Sequence, residues 1–150
     1  MENQDNIDNI YNIIGFLGSD GSSKMYRVIN ANNNAEYMAK VIFKNPNNFQ
    51  KELQMTTNAS NLNNPNIIHL NNHGLGTITI GGNVQNNMNY LILDYCSKGD
   101  LYNYIMFGRF SERHAKFIFR KILNGVRALH GAGICHRNFT ITKYLIRSKF

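Results

Sequence analysis

The sequence is poor in cysteine and in long apolar runs, and each scarcity excludes a class of protein. Its 150 residues include two cysteines, Cys96 and Cys135, which fit neither a zinc ribbon nor a disulfide scaffold, so we expect a reducing compartment. No apolar run approaches the roughly 20 residues of a membrane-spanning helix. The acidic, polar start MENQDNIDN is unlike a secretory signal, so we expect a cytoplasmic protein that does not associate with membranes.

Acidic residues are scarce in the last part of the chain. Residues 1–108 carry 6 basic and 8 acidic side chains, whereas residues 109–150 carry 10 basic and 1 acidic, which gives local charges of −2 and +9. A basic segment can bind nucleic acid, membranes or acidic partners, but a solvated helix face explains it more simply. Nucleic-acid binding stays a minor alternative, because no aromatic stacking platform accompanies the charge.

Asparagine is abundant, with 25 residues, of which 22 precede residue 90. Because Asn favours turns and helix caps over helix interiors, we expect many loops in the first half. Hydrophobic residues make up 43% of the chain, which is enough to bury a core, and the length allows one domain, or one domain and a fragment.

The hydrophobic pattern divides the chain after a flexible tail, predicted for residues 1–10. Residues 11–95 look mostly β, with one helix beginning near Phe49 and a long Asn/Gly loop at 81–89. Strands are predicted at residues 13–17, 25–29, 37–43, 67–70, 76–80 and 89–94.

Residues 96–150 look helical. Asp100 can cap a short helix, and Ser111 can cap a longer one that ends at Gly131 and Gly133. In the longer helix, apolar residues recur every three or four positions and predict one buried face. These residues are Ala115, Ile118, Ile122, Val126 and Leu129.

Six segments follow one another along the chain: LGSDGSSKM at 17–25, YMAK at 37–40, FQKEL at 49–53, NPNI at 64–67, YLILDYCSKGDL at 90–101 and the run from Leu129 to Lys143. In this order they resemble the glycine-rich loop, the V-A-I-K motif, the helix with its Glu, the H-P-N-I turn, the hinge and the catalytic loop of a protein kinase domain. The resemblance spans about residues 11–148. It implies an α+β fold: an antiparallel five-stranded N-lobe sheet with one helix at 11–95, then a truncated helical C-lobe at 96–150.

The resemblance also implies a nucleotide site. Lys40 would hold the α- and β-phosphates of ATP, and Glu52 would pair with Lys40. Taken singly, these two residues are better explained by a surface lysine and a solvated glutamate, whereas the ordered set of motifs favours the functional placement. The remaining residues that would line the site are Leu17, Gly18, Met25, Met38, Asp94, Cys96 and Leu145.

Several residues depart from the kinase pattern at this site. Asp20 and Ser23 replace the second and third glycines, and Asp20 adds negative charge near a negative ligand. Met25 replaces the usual Val, and Met38 replaces a small Ala on the same strand face as Lys40, where it would partly fill the adenine pocket. We therefore expect ATP binding to be weak.

The catalytic loop departs further. Asn138 stands at the position of the catalytic Asp and cannot act as a base, while Thr140 and Lys143 replace the loop Lys and the metal-binding Asn. The chain ends before any D-F-G motif, so we expect no magnesium site. These changes predict a truncated, inactive kinase-like domain (a pseudokinase). The alternative is a divergent serine/threonine kinase with residual phosphotransfer.

Absence of the later C-lobe helices would leave apolar side chains of the long helix exposed and available to a protein partner. These are Phe117, Ile118, Phe119, Ile122 and Val126. A zinc site at His130, Cys135 and His136 is the least favoured alternative, because no second cysteine pair completes it.

Overall fold

The computed structural model describes residues 4–43, 48–108 and 111–136. The chain divides into two compact units, one with residues Met1–Thr57 and His69–Tyr95, the other with Asn58–Ile68 and Cys96–Phe150. The described elements are β1 (Asn6–Ile7), β2 (Tyr11–Ser19), β3 (Ser23–Asn30), β4 (Glu36–Ile42), α1 (Phe49–Ser60), β5 (Leu70–Ile80), β6 (Asn83–Asp94), α2 (Leu101–Phe107) and α3 (Glu112–Gly131).

The strands of the first unit form a closed antiparallel barrel in the order β1-β2-β3-β4-β6-β5. The prediction of a five-stranded sheet was therefore wrong. The sixth strand is the dipeptide Asn6–Ile7, which pairs with β2 through Asn6↔Asn12 and with β5 through Ile7↔Ile78. Because β1 bridges the two outer strands, it closes the barrel and removes the exposed sheet edges.

Residues 4–10 are not the flexible tail that we predicted. Ile7 is fully buried, and Asp8 is anchored on β5, where its backbone N–H donates to the Thr77 carbonyl oxygen at 2.8 Å. The Asp8 carboxylate accepts from the Thr77 N–H at 2.6 Å and from the Tyr90 hydroxyl at 2.8 Å. Burial, together with this carboxylate, raises the pKa of Tyr90. At Gly76 a Cβ would overlap the Asp8 carboxylate, so any other residue there would have to displace that side chain.

The predicted long loop at 81–89 is instead a tight hairpin. Ile80 pairs with Asn83, so only Gly81 and Gly82 form the turn. Their φ values of 56° and 78° fit a type I′ turn, which requires positive φ at both central residues. The Asn-rich residues 83–87 are exposed and belong to β6, which explains why their polarity imitated a loop.

The barrel core consists of alternate residues of the strands. In β4, Ala39 and Val41 belong to the core, so Met38 and Lys40 lie on the opposite face. The core cluster comprises Ile7, Tyr11, Tyr26, Val28, Ala39, Val41, Ile78, Tyr90 and Ile92. Side-chain burial on alternate positions therefore fixes which face of the barrel carries Lys40.

The helices of the second unit begin where their caps predict. The Asp100 side chain accepts a hydrogen bond from the Asn103 N–H at 2.8 Å, and Ser111 accepts from the His114 N–H at 3.2 Å. Gly125 of α3 is buried against the backbone of Asn66. Of the predicted buried face, Leu129 is buried, Ile118, Ile122 and Val126 are half-buried, and Ala115 is exposed. None of the described helices is long and apolar enough to cross a membrane.

Candidate functional site

Lys40 and Glu52 come together beside the barrel. Lys40 lies on β4, opposite Met25 of β3 and Leu91 of β6, and its side chain is 21% exposed. Glu52 projects from the first turn of α1, and its Oε1 is in direct contact with Lys40 Nζ as an ion pair. The structure thus brings together the two residues for which the kinase resemblance implied a Lys–Glu pair.

A second carboxylate also faces Lys40. Asp20 lies in the turn between β2 and β3, and its Oδ2 is 3.9 Å from Lys40 Nζ. Sequence reasoning assigned Asp20 a repulsive effect on phosphate but missed this ion pair. The available signal was the run Asp-Gly-Ser-Ser, since Asp followed by small residues commonly accepts hydrogen bonds from backbone N–H groups one to three residues later.

Asp20 also organises its own turn. Its Oδ1 accepts hydrogen bonds from the backbone N–H groups of Ser22 at 3.0 Å and Ser23 at 2.7 Å. Burial alone would raise the pKa of Asp20, but these N–H groups and the positive charge of Lys40 outweigh it and lower the pKa to about 2. Asp20 is therefore a carboxylate at neutral pH, and Lys40 is shared between two negative charges.

The turn that contains Asp20 is tied to the barrel at both ends. Gly18, with φ of 151°, pairs with Met25, and the register shifts between Phe16 and Gly18. The backbone N–H of Phe43 donates to the Ser22 carbonyl oxygen at 2.9 Å. Leu17, which the resemblance placed among the residues that would line the nucleotide site, is 44% exposed.

Met38 lies on the same face of β4 as Lys40, as strand alternation predicts. It is buried and opposite Arg27 of β3 and Leu93 of β6. Arg27 in turn pairs with Glu36 at 2.8 Å and lies 5.0 Å from the Tyr95 ring centroid. A large apolar side chain therefore lies two residues from Lys40, where the resemblance places a small one.

The predicted hinge residues are half-buried. The Asp94 N–H donates to the His69 carbonyl oxygen at 3.1 Å, and its Oδ1 accepts from Asn71 Nδ2 at 2.9 Å. The Cys96 carbonyl oxygen accepts from the Gly99 N–H at 3.2 Å. Asp94 belongs to the first unit and Cys96 to the second.

Four predicted site residues lie outside the described residues: Asn138, Thr140, Lys143 and Leu145. Of the residues weighed for zinc, His130, Cys135 and His136 are each exposed. Within the described ranges, no three His, Cys, Asp or Glu side chains are grouped so that they could hold a metal ion.

A nucleoside triphosphate fits this arrangement only in part. Lys40, oriented by Glu52, has the chemistry of a phosphate-binding cation. The Asp20 carboxylate does not fit, because it faces the same ammonium group and accepts from the Ser22 and Ser23 N–H groups of the loop that would bind phosphate. An anion would have to displace it.

In the second unit, the predicted apolar patch is exposed in part. Phe117 and Phe119 are exposed, whereas Ile118, Ile122 and Val126 are half-buried. Further large apolar side chains are exposed on α2 and α3, and these are Tyr102, Ile105, Met106, Phe107 and Leu123.

Comparison with known proteins gives the same family as the motifs. The family model described as "Protein kinase domain" matches residues 11–147. Serine/threonine-protein kinase SRK2I of Arabidopsis thaliana is 42% identical over 57 residues, which is 37% of this chain and 16% of that protein. SRK2J of the same plant is 31% identical over 86 residues, or 57% of this chain and 23% of that protein.

A rice relative matches in the same way. Serine/threonine protein kinase OSK3 of Oryza sativa subsp. indica is 36% identical over 62 residues, which is 41% of this chain and 12% of that protein. The matched segments thus span less than a quarter of these relatives. Since the family model covers most of the sequence, from the glycine-rich loop to the catalytic-loop segment, the chain belongs to the protein kinase domain family.

Proposed function

We propose that this chain is a kinase-like module that does not transfer phosphate, binds ATP weakly and acts through a protein partner. The observation that carries the proposal is that Lys40 keeps its ion pair with Glu52 while Asp20 supplies a second carboxylate to the same ammonium group. The first feature preserves the scaffold of a phosphate site, and the second opposes the binding of phosphate.

The sequence of the catalytic loop supports the same proposal. Asn138 stands where a kinase has its catalytic Asp, and an amide has no basicity with which to accept the substrate proton. Thr140 lacks the charge of the usual Lys, and Lys143 would repel the magnesium ion that Asn holds in kinases. A loss of base, cation and metal ligand together leaves the chain without the groups that position and neutralise the transferred phosphate.

Phosphotransfer assays test the catalytic part of this proposal. Purified chain with labelled ATP, magnesium and a generic protein substrate should incorporate no more label than Lys40→Ala does. Lys51→Ala is the matched control, because it removes an exposed lysine of the same site helix, α1. Label incorporation by the unmodified chain and by Lys51→Ala, but not by Lys40→Ala, would overturn the proposal.

Thermal melts test the nucleotide part. A ligand that binds only the folded state raises its stability by RT ln(1 + [L]/Kd), which is about 0.4 kcal/mol when ligand concentration equals Kd. Weak binding should therefore give a small upward shift at millimolar ATP that Lys40→Ala removes and Lys51→Ala retains. A large shift at micromolar ATP would contradict weak binding.

The proposed partner would cover apolar side chains of the second unit. Phe107 is 89% exposed and Phe119 is 59% exposed, which is costly for large apolar groups in water. Phe119→Ser should abolish capture of a partner from the native cell, whereas Leu75→Ser, at a similarly exposed apolar position on the barrel, should not. Equal loss with both variants would argue against a specific face on α3.

Retention of the Lys40–Glu52 pair also favours a second candidate, a divergent serine/threonine kinase with residual phosphotransfer. This candidate predicts that the combined change Asn138→Asp, Thr140→Lys and Lys143→Asn raises label incorporation above that of the unmodified chain. No increase would remove it.

A further inference from the structure

The turn between β2 and β3 is arranged around one carboxylate oxygen. Asp20 Oδ1 accepts from two consecutive backbone N–H groups, at 3.0 Å from Ser22 and 2.7 Å from Ser23, and the Asp20 N–H donates to the Ser23 carbonyl oxygen at 3.0 Å. Successive N–H groups that converge on one oxygen form a small anion-binding cradle. In this chain the anion in the cradle is a side chain of the chain itself.

The second oxygen of the same carboxylate faces the site cation. Asp20 Oδ2 lies 3.9 Å from Lys40 Nζ, on which Glu52 is also paired. One positive and two negative charges give the cluster a formal charge of −1 at neutral pH, where Asp20 is ionised because its pKa is about 2. The Lys40 ammonium group, which would attract phosphate, is thus accompanied by more negative than positive charge.

We propose that Asp20 is an internal substitute for a bound phosphate group and the residue that excludes polyanionic ligands from Lys40. The inference deepens the proposed function, since it assigns a cause to weak nucleotide binding at that site. The two oxygens of Asp20 face both groups that an incoming phosphate would use. Oδ1 accepts from the backbone N–H groups of Ser22 and Ser23, and Oδ2 lies 3.9 Å from Lys40 Nζ. An incoming phosphate would therefore have to replace the Asp20 carboxylate at the backbone N–H groups and would also be repelled by its negative charge.

Asp20→Asn is the decisive variant. The amide oxygen can still accept from Ser22 and Ser23, so the turn keeps its acceptor, while the negative charge is removed. The probes are inorganic tripolyphosphate, ATP and adenosine, with Kd measured by titration calorimetry without magnesium. We expect tripolyphosphate and ATP to bind about tenfold more tightly or better, since the variant removes the negative charge that lies 3.9 Å from Lys40 Nζ and competes for that ammonium group. Adenosine affinity should not change.

Glu36→Gln is the matched control. It removes one carboxylate from the same sheet, where Glu36 pairs with Arg27 at 2.8 Å. It should change tripolyphosphate affinity less than twofold. A second variant, Asp20→Gly, frees the backbone N–H groups as well and should bind the polyanions at least as tightly as Asp20→Asn. Adding Lys40→Ala to Asp20→Asn should abolish the gain.

Three results would overturn the inference: unchanged or weaker polyanion binding by Asp20→Asn, an equal gain with Glu36→Gln, or a gain that survives Lys40→Ala. These outcomes are separate from failure of the proposed function. Phosphotransfer by the unmodified chain would refute the inactive module, yet the Asp20 comparison would still report on anion exclusion, since tripolyphosphate affinity requires no catalysis.

Discussion

Truncating the side chain of Ile7 tests whether the dipeptide strand β1 stabilises the barrel. Ile7 is fully buried and pairs on one side with Tyr11 of β2 and on the other with Ile78 of β5. Because its backbone is held on both sides, the cavity left by Ile7→Ala cannot collapse readily. We expect a loss of about 3 kcal/mol, within the 2–5 kcal/mol range for buried Ile→Ala changes.

Chemical and thermal unfolding of the 150-residue chain measure this loss. For a domain of this size, about 3 kcal/mol corresponds to a fall in Tm of roughly 6–12 °C. Ile14→Ala is the control, since Ile14 lies on β2 but is 42% exposed, and it should cost about 0.5 kcal/mol or less. Hydrogen exchange at the Thr79 amide, which faces β1 across the Asn6↔Thr79 pair, gives a local measure of barrel closure.

The refuting result is equal stability of the Ile7→Ala and Ile14→Ala variants. In that case residues 4–10 would behave as the flexible tail predicted from sequence, and closure of the barrel by β1 would contribute nothing to stability. Faster exchange at the Thr79 amide in Ile7→Ala alone would instead locate the damage at the pairing of β1 with β5.

Three further changes should alter stability in denaturant unfolding. Gly125→Ala should cost about 1 kcal/mol, because the new Cβ would lie 3.0 Å from the Asn66 carbonyl oxygen and the strain of overpacking would exceed the gain in helix propensity. Gly131→Ala is the control. A Cβ at Gly131 would lie in open space, so this variant should be neutral or stabilising. Ser111→Ala should cost about 1 kcal/mol through loss of the α3 cap, seen as reduced helicity. The pKa of Asp20 is lowered from 3.8 to about 2, so the stabilising contribution of its carboxylate should be complete above about pH 4 and lost as pH falls through about 2. Asp20→Asn should flatten this part of the stability–pH profile. A profile that Asp20→Asn leaves unchanged would contradict the shift in pKa.

The sequence predicted best those elements whose signals are local. The caps Asp100 and Ser111 lie immediately before α2 and α3, and a cap acts within three residues of its position. β1 could not be predicted, because two residues carry no alternation and one of the two strand partners of Ile7 lies 71 positions further along the chain. The tight turn at Gly81–Gly82 was missed because exposed asparagines on β6 resemble a loop.

The asparagine excess had a conformational consequence that composition alone suggested. Among the described residues, every non-glycine residue with positive φ is Asn or Asp. These two types tolerate the left-handed region better than other side chains do. The positions are Asp8, Asn9, Asn34, Asn63 and Asn87, of which Asn87 lies within β6 itself.

At the candidate site, motif order identified Lys40 and Glu52, which lie 12 residues apart and meet as an ion pair. It did not predict the second ion pair of Lys40. That pair forms with Asp20, which comes near Lys40 because β3 runs beside β4, with Met25 opposite Lys40. The motif comparison treats Asp20 as a missing glycine, but in the structure Asp20 also adds a carboxylate 3.9 Å from the Lys40 ammonium group.

This difference between a missing glycine and an added carboxylate changes what the departure from the kinase pattern means. Loss of a glycine alone would reduce the close approach of backbone N–H groups to phosphate but leave Lys40 positively charged and available. Asp20 instead satisfies both the N–H groups and the lysine from within the chain. Because protonation of Asp20 requires a pH near 2, neutral conditions cannot release Lys40 by titration. On our proposal, a polyanion must therefore compete with a carboxylate that belongs to the chain itself, and the weak binding that we propose would follow from that competition although Lys40 remains paired with Glu52.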